Sequence, residues 1–126
     1  MENEKKKILI VEDDVFISDI YQVKFSQESY ETAVAVNGLE ALKKLESFQP
    51  DVILLDIIMP QMDGIETLKK IKKDERWKNI PTIMLTNISE EEKVEESEEI
   101  GASDYLVKSQ FTPSEVVEKV NALLKK

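Results

Sequence analysis

The stretch that decides the fold is Asp51–Gly64, with the sequence DVILLDIIMPQMDG. The four consecutive aliphatic residues Val52–Leu55 are too few for a helix and too uniformly apolar for a strand with one solvent-facing side. They predict a central parallel strand that is buried on both faces. Asp56 ends this run, and Pro60 together with Asp63-Gly64 forces a turn before a helix can begin. An isolated aspartate in this place usually just ends a strand and caps a loop, so its role depends on the rest of the chain.

The composition narrows the class of protein. The chain has 126 residues, which suffice for one domain with its own hydrophobic core. It contains no cysteine and no histidine, which excludes disulfides, thiolate chemistry and the commonest zinc ligand. The formal net charge of −9 argues against nucleic acid or an anionic membrane as a direct partner. Because no apolar run approaches the roughly 20 residues that span a bilayer and no signal segment is visible, we expect a cytoplasmic protein.

Five strand-like runs alternate with helical patterns along the chain. The runs are Ile8–Val11, Thr32–Val36, Val52–Leu55, Thr82–Leu85 and Asp104–Val107. This alternation predicts an α/β fold in which five helices cover both faces of a five-stranded parallel sheet. The usual strand order of such a doubly wound, flavodoxin-like sheet is 2-1-3-4-5.

Capping residues and apolar stripes predict the five helices. The first is expected from an Asp14 cap to about Gln27, the second from Asn37-Gly38, the third after Gly64, the fourth over Glu90–Ile100 and the fifth from Thr112-Pro113. The fourth carries seven glutamates and one lysine, so we expect it to be held most loosely. The stripes expected to face the sheet are Ile17, Ile20, Tyr21 and Lys24 or Phe25; Leu39, Leu42 and Leu45; Ile65, Leu68 and Ile71; Val94 and Ile100; and Val116, Val120 and Leu123.

Reactive side chains follow four of the five predicted strands. Glu12 and Asp13 come after the first strand, Asp56 after the third, Thr86 after the fourth and Lys108 after the fifth. In open α/β sheets ligands bind beyond the carboxyl ends of the strands, and in the order 2-1-3-4-5 these four ends are neighbours. The sequence therefore predicts one site at this edge.

The predicted site combines three carboxylates, a hydroxyl and an ammonium. Carboxylates crowded at one edge repel one another unless a cation neutralises them, and oxygen ligands without His or Cys select a hard ion. We therefore expect Mg²⁺ as the cofactor. Lys108 and Thr86 suit a dianionic phosphoryl group, which makes Asp56 the expected nucleophile and an acyl phosphate the expected product.

The segments ILIVEDD, DVILLDIIMPQMDG, PTIMLT and GASDYLVK resemble those of response regulator receiver domains. The resemblance covers nearly the whole chain and implies a single receiver domain over residues 1–126, with no output domain attached. It further implies that Asp56 is the phosphoacceptor and that Glu12 and Asp13 form the acidic pair of a Mg²⁺ site. In that family pattern the main-chain carbonyl of Ile58 is a further Mg²⁺ ligand.

The same resemblance implies a conformational switch. Thr86 and Tyr105 would be the switch pair, and Lys108 would bind a phosphoryl oxygen. Two residues depart from the family pattern. Ser109 stands where proline usually follows the lysine, which leaves open whether that peptide bond is cis or trans. Asn87 stands where a smaller residue usually follows the threonine, and either narrows access to the phosphoacceptor or adds a hydrogen-bond donor.

The function implied is a two-component signalling switch. A sensor histidine kinase or a histidine phosphotransfer protein would phosphorylate the chain, and the α4-β5-α5 surface would then control a downstream protein target. As a stand-alone domain it would be a monomer or a phosphorylation-dependent dimer. Its only catalytic activity would be its own phosphotransfer and dephosphorylation. Two alternatives remain: a scaffold that works without phosphorylation, and, with less support, a small Mg²⁺-dependent phosphatase with an aspartate nucleophile.

Overall fold

The computed structural model describes residues 5–125, which form one parallel sheet flanked by helices. The strands are β1 Lys6–Val11, β2 Tyr30–Ala35, β3 Val52–Leu55, β4 Thr82–Thr86 and β5 Asp104–Val107. The helices are α1 Val15–Gln27, α2 Gly38–Leu45, α3 Gly64–Lys73, α4 Glu91–Ile100 and α5 Pro113–Leu124, and a 3₁₀ turn covers Lys108–Gln110. The strands lie in the order β2-β1-β3-β4-β5, which confirms the predicted fold. Within the described part of the chain, no helix has the length and apolarity that crossing a membrane requires.

The alternation of side chains along the strands builds one core on each face of the sheet. In β3, Ile53 and Leu55 point to one face, while Val52 and Leu54 point to the other. The first core packs mainly against α2 and α3, and the second against α1 and α5. Because β3 is buried on both faces, all four of its residues are apolar, as the sequence predicted.

Side-chain caps fix where most of the helices begin. The carboxylate of Asp14 accepts hydrogen bonds from the backbone N–H groups of Phe16 and Ile17, which confirms it as the cap of α1. Asn37 and Asp63 cap α2 and α3, and Thr112 forms a reciprocal capping box at α5. Helix α4 is the exception, because its first residue follows Glu90, whose side chain makes no capping hydrogen bond.

Two residues of the predicted helix stripes are wrong, because Ile20 and Leu39 are about half exposed. Of the two alternatives at the end of the first stripe, Phe25 is buried and Lys24 is not. The packed face of α1 instead includes Ser18, a polar residue that the apolar pattern omits. In α4 the fully buried residue is likewise a serine, Ser97, whose hydroxyl donates to the carbonyl of Lys93 at 2.8 Å.

The segment between α3 and β4 is tied to the body of the protein. Trp77 is 8 % exposed and packs in the first core. Arg76 stacks on the Trp77 ring and binds the carboxylates of Asp74 and Glu46. The ammonium of Lys72 donates to two carbonyls of the same segment, which closes it into an ordered loop.

Candidate functional site

The carboxyl ends of the strands bring the predicted residues to one edge of the sheet. Val11 of β1 is in register with Leu55 of β3, so the residues that follow them, Glu12 and Asp56, leave the sheet side by side. The backbone N–H of Asp56 donates to the carbonyl of Val11 at 3.1 Å, which extends the strand pairing by one step. The parallel strand pairing therefore fixes the relative backbone positions of Glu12 and Asp56.

Three carboxylates form a compact cluster at this edge. One oxygen from each of Glu12, Asp13 and Asp56 lies within 4.8 Å of the others. Glu12 and Asp56 are buried, and Asp13 is exposed at the mouth of the cluster. A set of oxygen donors alone, open to solvent on one side, suits a hard ion that keeps several waters, which is the chemistry of Mg²⁺. The residues thus fit the cofactor that the sequence predicted.

Lys108 supplies the counter-charge inside this cluster. Its ammonium donates to the carboxylate of Glu12 and, at 2.9 Å, to Oδ2 of Asp56. Burial of the lysine works against its charge, but the bonds to these two carboxylates outweigh it and raise the pKa of Lys108. Lys108 is therefore a permanent cation that contacts the predicted nucleophile.

The turn after β3 holds the carboxylate of Asp56 from its own backbone. Oδ1 accepts the N–H of Ile57 at 2.7 Å and that of Ile58 at 3.4 Å. The turn then folds back, and the N–H of Gly64 donates to the carbonyl of Ile57 at 2.8 Å. A Cβ on Gly64 would lie only 2.0 Å from the backbone oxygen of Asp56, so only glycine fits this approach. The start of α3 is thereby packed directly against the turn that carries Asp56.

The two hydroxyl residues of the predicted switch both bind the backbone of Ile88. Thr86 is fully buried, and its Oγ1 accepts the N–H of Ile88 at 3.4 Å. The hydroxyl of Tyr105, which is half-buried, donates to the carbonyl of the same Ile88 at 2.6 Å. Burial raises the pKa of Tyr105, so this hydroxyl keeps its proton and its role as donor. Ile88 therefore links two side chains that the sequence placed on different strands.

Comparison with known proteins assigns the family. The family model described as "Response regulator receiver domain" matches residues 8–121. The chain belongs to the response regulator receiver family. This receiver domain is 39% identical over 121 residues to the alkaline phosphatase synthesis transcriptional regulatory protein PhoP of Bacillus subtilis, covering 96% of the chain and 49% of that protein. It is 38% identical to the phosphate regulon transcriptional regulatory protein PhoB of Pseudomonas aeruginosa, covering 96% of the chain and 52% of that protein. The chain thus spans about half the length of these curated relatives.

Solved structures agree with the fold of this receiver domain. The chemotaxis protein CheY4 of Vibrio cholerae matches with a TM-score of 0.88 and 32% identity, over 94% of this chain and 98% of that one. A CheY-like receiver domain protein from Methanospirillum hungatei matches with a TM-score of 0.90 and 33% identity, over 97% of this chain and 95% of that one. Receiver domains are the signalling switches of two-component systems. These domains bind Mg²⁺ at an acidic pocket and interact with histidine kinases and downstream targets.

Ser109 and Asn87, the two residues that differ from the family pattern, both lie beside the site in this receiver domain. The Lys108–Ser109 peptide bond is trans, as are all others in the described residues, and the lysine still reaches the carboxylates. The open question about this bond is thus answered, and Ser109 does not misdirect Lys108. Asn87 is exposed and lies on a cleft beside Lys108 and Ser109, so it adds polar groups at the margin of the site.

Some residues of this site carry no signal in the sequence. Ile88 takes part through its backbone N–H and carbonyl, which no side-chain pattern reveals. The close approach of Gly64 is hinted at by its place after Asp63, but that pair predicts only a turn. The Ile58 carbonyl as a metal ligand remains a prediction, and the Ile58 side chain itself points to solvent.

Proposed function

We propose that this receiver domain accepts a phosphoryl group on Asp56 in a Mg²⁺-dependent reaction and changes its α4-β5-α5 surface in response. The observation that carries the proposal is the cluster of Glu12, Asp13 and Asp56 oxygens within 4.8 Å, with the Lys108 ammonium 2.9 Å from Oδ2 of Asp56. An exposed acidic side chain beside two buried ones gives a site that is rigid yet open to a phosphoryl donor.

Each residue has a distinct part in the transfer. Glu12, Asp13, one oxygen of Asp56 and the Ile58 carbonyl would hold Mg²⁺, which when bound neutralises charge on the transferring phosphoryl oxygens. The other carboxylate oxygen of Asp56 attacks phosphorus, and the bond from phosphorus to the donor's imidazole nitrogen breaks, leaving its electron pair on that nitrogen. Lys108 moves from Glu12 to a phosphoryl oxygen while it keeps its charge.

These 126 residues contain no histidine, so the phosphoryl donor lies outside them. We propose a sensor histidine kinase or a histidine phosphotransfer protein as the donor and a protein as the downstream target. A monomer or a phosphorylation-dependent dimer is compatible with this switch, and a location in the cytoplasm remains a prediction.

The response begins at Thr86. Its hydroxyl moves toward the phosphoryl group and gives up its bond to the N–H of Ile88, which stands at 3.4 Å. Because the carbonyl of the same Ile88 holds the hydroxyl of Tyr105, the loop between β4 and α4 and the tyrosine ring move together. Helix α4 has no side-chain cap at its N-terminus, so a small free energy suffices to shift it.

Acetyl phosphate and Mg²⁺ test the transfer directly. Intact mass measurement should show a single phosphoryl adduct on the wild-type chain, no adduct on Asp56→Asn, and an unchanged adduct on the control Asp51→Asn, which alters an exposed carboxylate at the far end of β3. Absence of a wild-type adduct would favour a scaffold that works without phosphorylation. Rapid turnover of acetyl phosphate with no accumulating adduct would favour a phosphatase.

The switch has a separate test. Amide hydrogen exchange in α4 should differ between the phosphorylated and unphosphorylated wild-type chain. In Thr86→Ala the difference should disappear although Asp56 is still phosphorylated. A difference of wild-type size in that variant would contradict the role of Thr86.

A further inference from the structure

Tyr21 differs from the other tyrosines of the chain. The hydroxyl of Tyr30 donates to Asn121 at 2.6 Å, and that of Tyr105 donates to Ile88 at 2.6 Å. Tyr21 is as buried as Tyr30, with 5 % exposure, but its hydroxyl makes no hydrogen bond within residues 5–125. The question is therefore which group this hydroxyl faces.

The ring of Tyr21 reaches from α1 to a cleft beside the phosphoacceptor. The cleft has a volume of about 290 Å³ and is lined by Tyr21, Asn87, Lys108 and Ser109, with Ile20 and Phe111 among its apolar residues. No fully enclosed side-chain oxygen or nitrogen in the described residues lacks a partner. The Tyr21 hydroxyl therefore keeps contact with the open space of this cleft.

The charges that act on Tyr21 are those of the phosphoacceptor site. Burial raises the pKa of Tyr21, the ammonium of Lys108 lowers it, and the carboxylates of Glu12 and Asp56 raise it further. The hydroxyl consequently remains protonated and lies within electrostatic reach of all three groups. The rest of the Tyr21 ring packs in the second core with α5, which fixes its position.

One of the three N–H donors of Lys108 has no hydrogen-bond partner within the described residues. An ammonium carries three N–H groups, and the bonds to Glu12 and Asp56 use two of them. Of the polar residues that share the cleft with Lys108, Tyr21 is buried, whereas Asn87 and Ser109 are exposed and solvated.

We propose that Tyr21 is a positioning residue whose hydroxyl accepts the third N–H of Lys108 through one water in the cleft and steadies the lysine as it passes from Glu12 to the phosphoryl oxygen. Only the steadying of Lys108 during phosphoryl transfer rests on the proposed function. We expect the water-mediated contact in the unphosphorylated chain as well.

The first test uses the unphosphorylated protein. Tyr21→Phe removes only the hydroxyl and keeps the ring, and Tyr30→Phe is a matched control at the opposite end of the sheet. The ¹³Cε signal of Lys108, identified by its loss in Lys108→Met, should shift or broaden in Tyr21→Phe and stay unchanged in Tyr30→Phe. An unchanged signal in Tyr21→Phe overturns the contact.

The second test measures the half-life of the phosphorylated chain in a double-mutant cycle. Tyr21→Phe should change this half-life by roughly threefold to tenfold, as expected for the loss of one ordinary hydrogen bond. In a Lys108→Met background the same substitution should change it by less than about twofold, because the hydroxyl acts through the lysine. An equal effect in both backgrounds, or none in the wild type, overturns the positioning role. A wild-type chain that takes up no phosphoryl group refutes the proposed function instead, and the first test then decides the contact alone.

Discussion

Replacing Gly64 by alanine perturbs the turn that carries Asp56 without touching any charged group. The added Cβ would lie 2.0 Å from the Asp56 carbonyl oxygen and 2.7 Å from the Cα of Ile57, both of which are backbone atoms that cannot rotate away. Because ordinary contacts begin at 3.4 Å, the turn and the start of α3 must separate by about 1.4 Å. Overpacking of this kind costs about 1–3 kcal/mol, and the bond from the Gly64 N–H to Ile57 contributes about 1 kcal/mol more.

The same displacement should also weaken Mg²⁺ binding. Mg²⁺ demands near-ideal octahedral geometry, and the backbone N–H groups of Ile57 and Ile58 orient the Asp56 carboxylate. Loss of such supporting contacts lowers metal affinity by roughly 10-fold to 100-fold. Titration calorimetry measures this affinity, and urea unfolding followed by the fluorescence of Trp77, the one tryptophan, measures stability.

Gly38→Ala is the matched control. Its Cβ would lie 2.1 Å from Oγ1 of Thr67 and 3.0 Å from the carbonyl oxygen of Met62, so it also strains the contacts of a helix. Its nearest neighbours include neither Asp56 nor the N–H groups of Ile57 and Ile58 that orient the Asp56 carboxylate. We expect lower stability and unchanged Mg²⁺ affinity. The reasoning is refuted if Gly64→Ala binds Mg²⁺ as tightly as the wild type, or if Gly38→Ala loses the same affinity.

Three further predictions concern charges and hydrogen bonds. Lys108→Ala removes the cation that neutralises the buried carboxylates, so calorimetry should show Mg²⁺ binding at least as tight as in the wild type. Without Mg²⁺, the free energy of unfolding should fall by about 3 kcal/mol. Weaker Mg²⁺ binding in this variant would contradict the reasoning. Tyr105→Phe loses the bond to the Ile88 carbonyl, so amide exchange near Ile88 should accelerate by about fivefold, and unchanged exchange would show that the bond contributes little. Hydrogen bonds from Arg76 lower the pKa of Asp74 below its ordinary 3.8, so this pair stabilises the fold above pH 3.8 and loses its effect as the pH falls through the lowered value. The stability difference between wild type and Asp74→Asn should therefore shrink below pH 4 in urea titrations, and a difference that grows there would reverse the sign of this argument.

The topology could be predicted from the sequence because the signals for it are local and repeated. The buried strand Val52–Leu55 and the alternation of five strands with helices predict a parallel sheet, and its usual order 2-1-3-4-5 places the polar residues after four strands at one edge. Glu12 and Asp56 meet there because β1 and β3 are neighbours in register, whereas Lys108 follows β5 and reaches them past β4 with its long side chain.

The errors arise where packing depends on more than apolar periodicity. Helix α1 has apolar residues on both its inner and outer sides, so the pattern could not decide that Ile20 faces solvent while Ser18 is buried. Leu39 is about half exposed because the buried side of α2 is formed by Gly38, Ala41 and Leu45. The buried Ser97 satisfies its hydroxyl within its own helix, which lets a polar residue occupy a core position.

The bonds that join Thr86 and Tyr105 both use the main chain of Ile88. Any amino acid other than proline offers the same N–H and carbonyl, so the connection between the two hydroxyls does not depend on the side chain of residue 88, which packs against the first core. A substitution library at this position should accordingly yield variants that differ in the speed or strength of signalling but almost never in whether a signal passes. Proline, which has no N–H to offer, is the substitution expected to disconnect Thr86.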